Sequence, residues 1–182
     1  MLPSLARPAR RAGQFRREAK HMHAADVLKY GNLTVRHGLQ GLPVDDWTTA
    51  GVCGWWSVRE IIAHLASFEV MLLDVLAIAA GETDIHGPTL RAWARDGQRF
   101  NDEQVAARAA LSPEETLADY IAAHEAVMAR IAALPDGATT RAGFLPTYGR
   151  EYDLDDFLTY SFYGHKREHT AQIAVFRDAI KR

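Results

Sequence analysis

His165 and His169 stand four residues apart, and on a helix their β-carbons would lie ~6 Å apart, close enough for two imidazole nitrogens to reach one metal at ~2.1 Å. At ~100° per residue they share a stripe with Leu158, Phe162, Gln172 and Phe176, the face that should turn inward. His64, beside Phe68 on the apolar side of a second helical stretch, can supply a third ligand from a neighbouring helix. Three neutral imidazoles suit a divalent first-row metal and leave positions open for water or a substrate group, as a catalytic metal requires. A lone histidine on an apolar face is more often a packed core residue. Three on facing segments, with Glu168 and Gln172 adjacent as groups able to orient them, favour a metal site. His124 also falls on a core-facing stripe and is expected as a structural histidine or a fourth ligand, packing being the favoured role.

The string His165 to His169 also fits H-x-x-E-H, the inverted zinc-protease pattern. That pattern needs an acidic third ligand well downstream, and only thirteen residues follow His169. Glu168 is rotated away from the midpoint of the two histidines, so a salt bridge is its expected role. Asn101 and Arg99 could orient a substrate, or simply be solvated. Trp55, Trp56, Trp93, Tyr148, Tyr160 and Tyr163 are candidates for an aromatic mouth or for packing. Cys53, with no basic neighbour to stabilise a thiolate, reads as a small apolar filler.

The elements that must position these groups are helices. Val27, Leu28, Leu33, Val35, Leu39 and Leu42 predict a first helix over 24–42, stopped by Pro43. Ser57 and Glu60 form a capping box that opens a second, with Ile61, Leu65, Phe68, Leu72, Val75 and Leu76 recurring until Gly81. The connection over 82–110 is long for a helix turn and should carry a short helical piece over 101–108. Ser112, Pro113 and Glu115 start a third helix, which Pro135 stops. A further irregular stretch leads to a fourth helix over 153–180. No segment alternates with period two, so the expected class is all-α, a four-helix bundle with a long connection between helices two and three.

Composition bounds the rest. The chain has 182 residues, 48% hydrophobic and 24% charged, consistent with one folded domain. A formal charge of -2 offers no basic field for nucleic acid. No uninterrupted apolar run suggests a membrane span, and the lone Cys53 allows no internal disulfide and suits a reducing, cytoplasmic setting. Residues 1–22 carry Arg7, Arg10, Arg11, Arg16, Arg17 and Lys20 against Glu18 and lack a secretory apolar core. They are expected to be a basic tail, or translation from an upstream start with Met22 as the natural beginning. The domain proper is then 23–182.

Two blocks carry a resemblance: Trp56-Ser57-Val58-Arg59-Glu60-Ile61-Ile62-Ala63-His64-Leu65 and Gly164-His165-Lys166-Arg167-Glu168-His169-Thr170-Ala171-Gln172-Ile173. Together they resemble the DinB-like superfamily of four-helix bundles, whose signature is a tryptophan shortly before a helix-two histidine and H-x-x-x-H-x-x-Q on the last helix. Phe100-Asn101 and the Ser112-Pro113-Glu114-Glu115 start are similar to the branch that includes the colibactin self-resistance proteins, so the likeness runs from Ala24 to Arg177. It implies a divalent metal (Zn, Ni, Mn or Fe) on His64, His165 and His169, a small-molecule substrate, and a homodimer as one assembly. Relatives include low-molecular-weight thiol S-transferases, a mycothiol-dependent maleylpyruvate isomerase and hydrolytic resistance proteins. The resemblance therefore implies a metal-dependent thiol transferase or hydrolase acting on reactive electrophiles, with a low-molecular-weight thiol as co-substrate in the first case. The competing reading is a non-catalytic binding protein whose histidines pack the core or grip a ligand.

Overall fold

The computed structural model describes residues 23–82 and 87–180. The basic stretch over 1–22 lies outside the described residues. Among those described the chain is helical without a strand, as the all-α expectation required.

Helix α1 (Ala24–Gly38) is shorter than its periodicity suggested. A β-carbon on Gly38 would come within 2.4 Å of Thr170 Cγ2, so glycine lets α1 lie close against the last helix, and the chain then turns through Gly41 at φ 71. Leu39 and Leu42 are still buried beyond the helix end, whereas Leu33 is 46% exposed.

Helix α2 (Val58–Ala79) opens on the expected capping box: the Glu60 backbone N–H donates to the Ser57 hydroxyl and the Glu60 carboxylate accepts from the Ser57 N–H at 2.7 Å. Ser57→Ala is expected to lower stability by about 1 kcal/mol, read from a denaturant midpoint shift at constant slope. By length and mean hydropathy (2.0) α2 could cross a membrane, but 67% of its most apolar window is buried inside the fold. Its hydropathy is that of a central core helix, with Ile61, Ile62, Leu72, Val75 and Leu76 wholly covered.

The long connection holds two helices where one was expected, α3 (Pro88–Arg95) and α4 (Gly97–Ala107). Helix α3 buries none of its residues fully, and with eight residues its apolar face, carried to the core by Leu90, is too short to stand out in the sequence. Its start is also held by Asp74 of α2, whose carboxylate accepts from the Thr89 and Leu90 N–H groups and the Thr89 hydroxyl. Asp96 caps α4, and Arg59 of α2 donates to the Arg108 and Ala109 carbonyls at the other end, drawing α4 over the start of α2.

Helix α5 (Pro113–Ala132) starts at the Ser112–Glu115 capping box and packs along α2. The expected fourth helix is one helical run with an interruption: α6 (Leu154–Leu158), a π-helical turn over Thr159–Gly164, then α7 (His165–Ile180). A π turn in effect inserts one residue and rotates everything downstream by about one residue's ~100°. On α7 the inward face is carried by Lys166, His169 and Ile173, four, seven and eleven residues after the buried Phe162, and Lys166 is a core residue.

Candidate metal centre

The segment before α2 is built to place Trp56. Cys53 and Trp56 form an isolated antiparallel bridge around Gly54 at φ 59, a left-handed turn that favours glycine. The Trp56 ring then lies 4.9 Å, centroid to centroid, from His64 in the second turn of α2. Across from them, the first turn of α7 presents His165 and His169.

The three rings converge through the same atom. Nε2 of His165 lies 2.9 Å from Nε2 of His64 and 2.9 Å from Nε2 of His169. Two ligands at ~2.1 Å from one ion subtending ~90° would be ~3.0 Å apart, so these separations suit adjacent positions on a single metal. Nδ1 of His169 lies 2.8 Å from Gln172 Oε1. The amide oxygen can only accept, so His169 carries its proton on Nδ1 and turns a bare lone pair to the centre. A proton on His165 Nε2 can be directed at only one of its two neighbours. A divalent cation accepts all three lone pairs, and in that sense the donor set fits a metal.

Electrostatics points the same way. Burial, then His165 and His169, lower the His64 pKa to about 2. Burial, then His169 and the Lys166 charge, lower that of His165 to about 3. Burial lowers that of His169 against the upward pull of Gln172 and Glu168. All three imidazoles are neutral near pH 7, the form that binds metal.

The nitrogens lie at a cleft of about 400 Å³. Trp55, Trp56 and Phe68 give it aromatic walls, and Gln98, Asn101 and Glu168 give it polar groups. Asn101, raised as a substrate-orienting residue, is there, its Oδ1 buried without a protein partner. Glu168 stands at the cleft, exposed, and Cys53 also lines it. Of the aromatic candidates only Trp55 and Trp56 line this cleft; Tyr148 and Tyr163 pack against the apolar core, and Tyr160 is 69% exposed. Arg99 points away, pairing with Glu103.

His124 is set apart from the triad. It is buried with Nδ1 3.3 Å from Glu69 Oε2, and Glu69 is ion-paired with Lys166. Sequence reasoning missed this charged cluster. Glu69 had a signal: it lies four residues after Leu65 and three before Leu72, on the buried face of α2. Lys166 had the same signal, lying four residues after Phe162 and three before His169, but a lysine there reads as a solvated residue beside the stripe through His165.

A family model for the mycothiol maleylpyruvate isomerase N-terminal domain matches residues 34–151. The chain belongs to that family. The family lies within the DinB-like superfamily, as the two motif blocks implied. Its matched span contains His64, Trp56 and Asn101 and ends before α7, so His165 and His169 are placed by this chain's own last helix. Comparison with curated proteins and with solved structures gives no match.

Proposed function

We propose that this chain is a divalent-metal-dependent enzyme that joins a low-molecular-weight thiol to a small reactive electrophile in the cytoplasm, with His64, His165 and His169 holding the metal. The observation that carries the reading is the convergence of three neutral imidazole Nε2 atoms at an open cleft. The thiol is favoured over water because the matching family is named for a mycothiol enzyme. A metal bound there would supply Lewis acidity, lowering a thiol's pKa so that thiolate is available near neutral pH.

The protein's own residues do the positioning. Gln172 fixes the His169 tautomer and ring. Trp56 and Phe68 flank His64 at centroid separations of 4.9 and 4.7 Å, limiting water's access to it. Asn101 and Gln98 offer amide groups to a polar part of the substrate. Gln172→Leu is expected to weaken zinc binding ~10–100-fold with little change in melting temperature, read by competition with a chromophoric chelator.

The direct test is cobalt-loaded protein titrated with mycothiol. Intense sulfur-to-cobalt charge-transfer absorption, together with metal-dependent consumption of a thiol-reactive chloroarene, is the expected result. Cobalt spectra that ignore the thiol, with hydrolysis of activated esters instead, would transfer the role of nucleophile to water. A parent protein that holds no metal after reconstitution at neutral pH would leave the histidines as packing or ligand-gripping residues.

A further inference from the structure

The buried cluster beneath the triad draws one residue or more from each long helix. Lys166 of α7 is 2% exposed and its ammonium is paired with the carboxylate of Glu69 of α2, which is 0% exposed. The second Glu69 oxygen meets His124 of α5, and the Lys166 ammonium lies 5.8 Å over the ring of Tyr120 on the same helix. The lysine stem crosses α1 at Gly31, where a β-carbon would approach Lys166 Cδ to 3.1 Å.

Such a pair is a poor source of stability, since desolvating two charges offsets most of their attraction and apolar residues of like volume often serve as well. What it offers over apolar packing is direction. Apolar side chains tolerate a helix turning by one residue, whereas a buried ammonium that loses its carboxylate does not. The position of the pair makes that direction useful. Lys166 directly follows His165 and precedes His169 by three residues, and Glu69 lies five residues after His64. The pair thus joins the two helices that carry the triad, and α2 and α7 otherwise touch only sparingly. The π turn immediately before α7 is where its rotation would be lost.

We infer that the Glu69–Lys166 ion pair is the positioning contact that fixes the rotation of α7 against α2 and thereby makes His165 and His169 converge on His64. The inference rests on the metal reading for its consequence, but its geometry can be tested alone. The variant is Glu69→Gln with Lys166→Met, which keeps volume and an acceptor for His124 while removing both charges.

In the full chain this double variant should retain helical circular dichroism and a melting temperature near the parent's. Its zinc affinity should fall at least ~10-fold, with an altered cobalt absorption spectrum. In the crystal structure of the metal-free variant, His165 Nε2 should move away from His64 Nε2. Unchanged zinc affinity and cobalt spectrum would overturn the inference while leaving the metal reading intact. A parent without metal would overturn the metal reading, and the crystal then decides alone: an unchanged 2.9 Å separation sinks the positioning role, and a widened one supports it. If the double variant does not fold, the all-apolar Glu69→Leu, His124→Leu, Lys166→Met variant is read in the same way.

Discussion

Replacing His165 and His169 together by alanine is expected to abolish metal binding, from near one equivalent in the parent to background, with the helical content unchanged. The triad draws two of its three donors from the first turn of α7, so the variant leaves His64 with a single Nε2 and no chelate. A four-ligand structural zinc site is worth ~10–16 kcal/mol, or ~3 per ligand, so losing two ligands should weaken binding by ~6 kcal/mol, about 10⁴-fold. The fold should tolerate the change, since alanine is the better helix former by up to ~0.7 kcal/mol per position and neither histidine is tied to the Glu69 cluster. Elemental analysis of untagged protein, prepared without chelator, checks this beside circular dichroism. Equal metal in parent and variant would mean that the ion is held elsewhere.

The pairing of His165 with His169 was legible because i, i+4 spacing survives any rigid rotation of the helix that carries it. The His165–His169 pair, the His169–Gln172 contact and the Trp56–His64 neighbourhood all depend on local geometry: the first turns of α7, or the eight residues that lead into α2. Capping boxes at Ser57 and Ser112 were legible for the same reason, since their hydrogen bonds close within three residues. What lay beyond reach depends on register between distant segments. The stripe read as a continuous 3.6-residue period centred on His165 and passed over Lys166, whereas after the π turn over Thr159–Gly164 His165 is half-buried and Lys166 lies in the core. Helix α3 escaped notice because it is eight residues long, packs Leu90 on the core without burying any residue fully, and is held at its start by hydrogen bonds to the distant Asp74. Glu69 was readable in principle as an acid on a core face, but its partners come from α5 and α7, and no spacing rule connects residues 55 or 97 positions apart.

The depressed histidine pKa values lead to a pH dependence with a definite sign. An unfolded histidine titrates near ~6.5, whereas folded His64 and His165 do so at about 2 and about 3, and His169 is lowered as well. Below pH ~6.5 the unfolded chain therefore binds protons that the folded, metal-free protein does not. This stabilisation is fully present above ~6.5 and is lost as pH falls toward the folded values, by up to ~1.4 kcal/mol per pH unit for each histidine. For His64 and His165 over two units that is of order 5 kcal/mol, comparable with the whole stability of a small domain. Glu69 adds to the loss at lower pH: burial raises its pKa, but Lys166 and His124 more than reverse this, so its contribution also vanishes on acidification. Metal binding should behave differently. Protons scarcely compete for the folded imidazoles in this range, so zinc affinity should change by less than ~10-fold between about pH 7.5 and 5.5, whereas three ordinary histidines would lose ~10³-fold. Competition titrations over that range, with circular dichroism on the same samples, separate the cases. A hundredfold drop in affinity with the helices intact would show that the imidazoles protonate within the fold. Zinc release that coincides with loss of helicity would show that burial keeps the three donors available until the fold itself gives way.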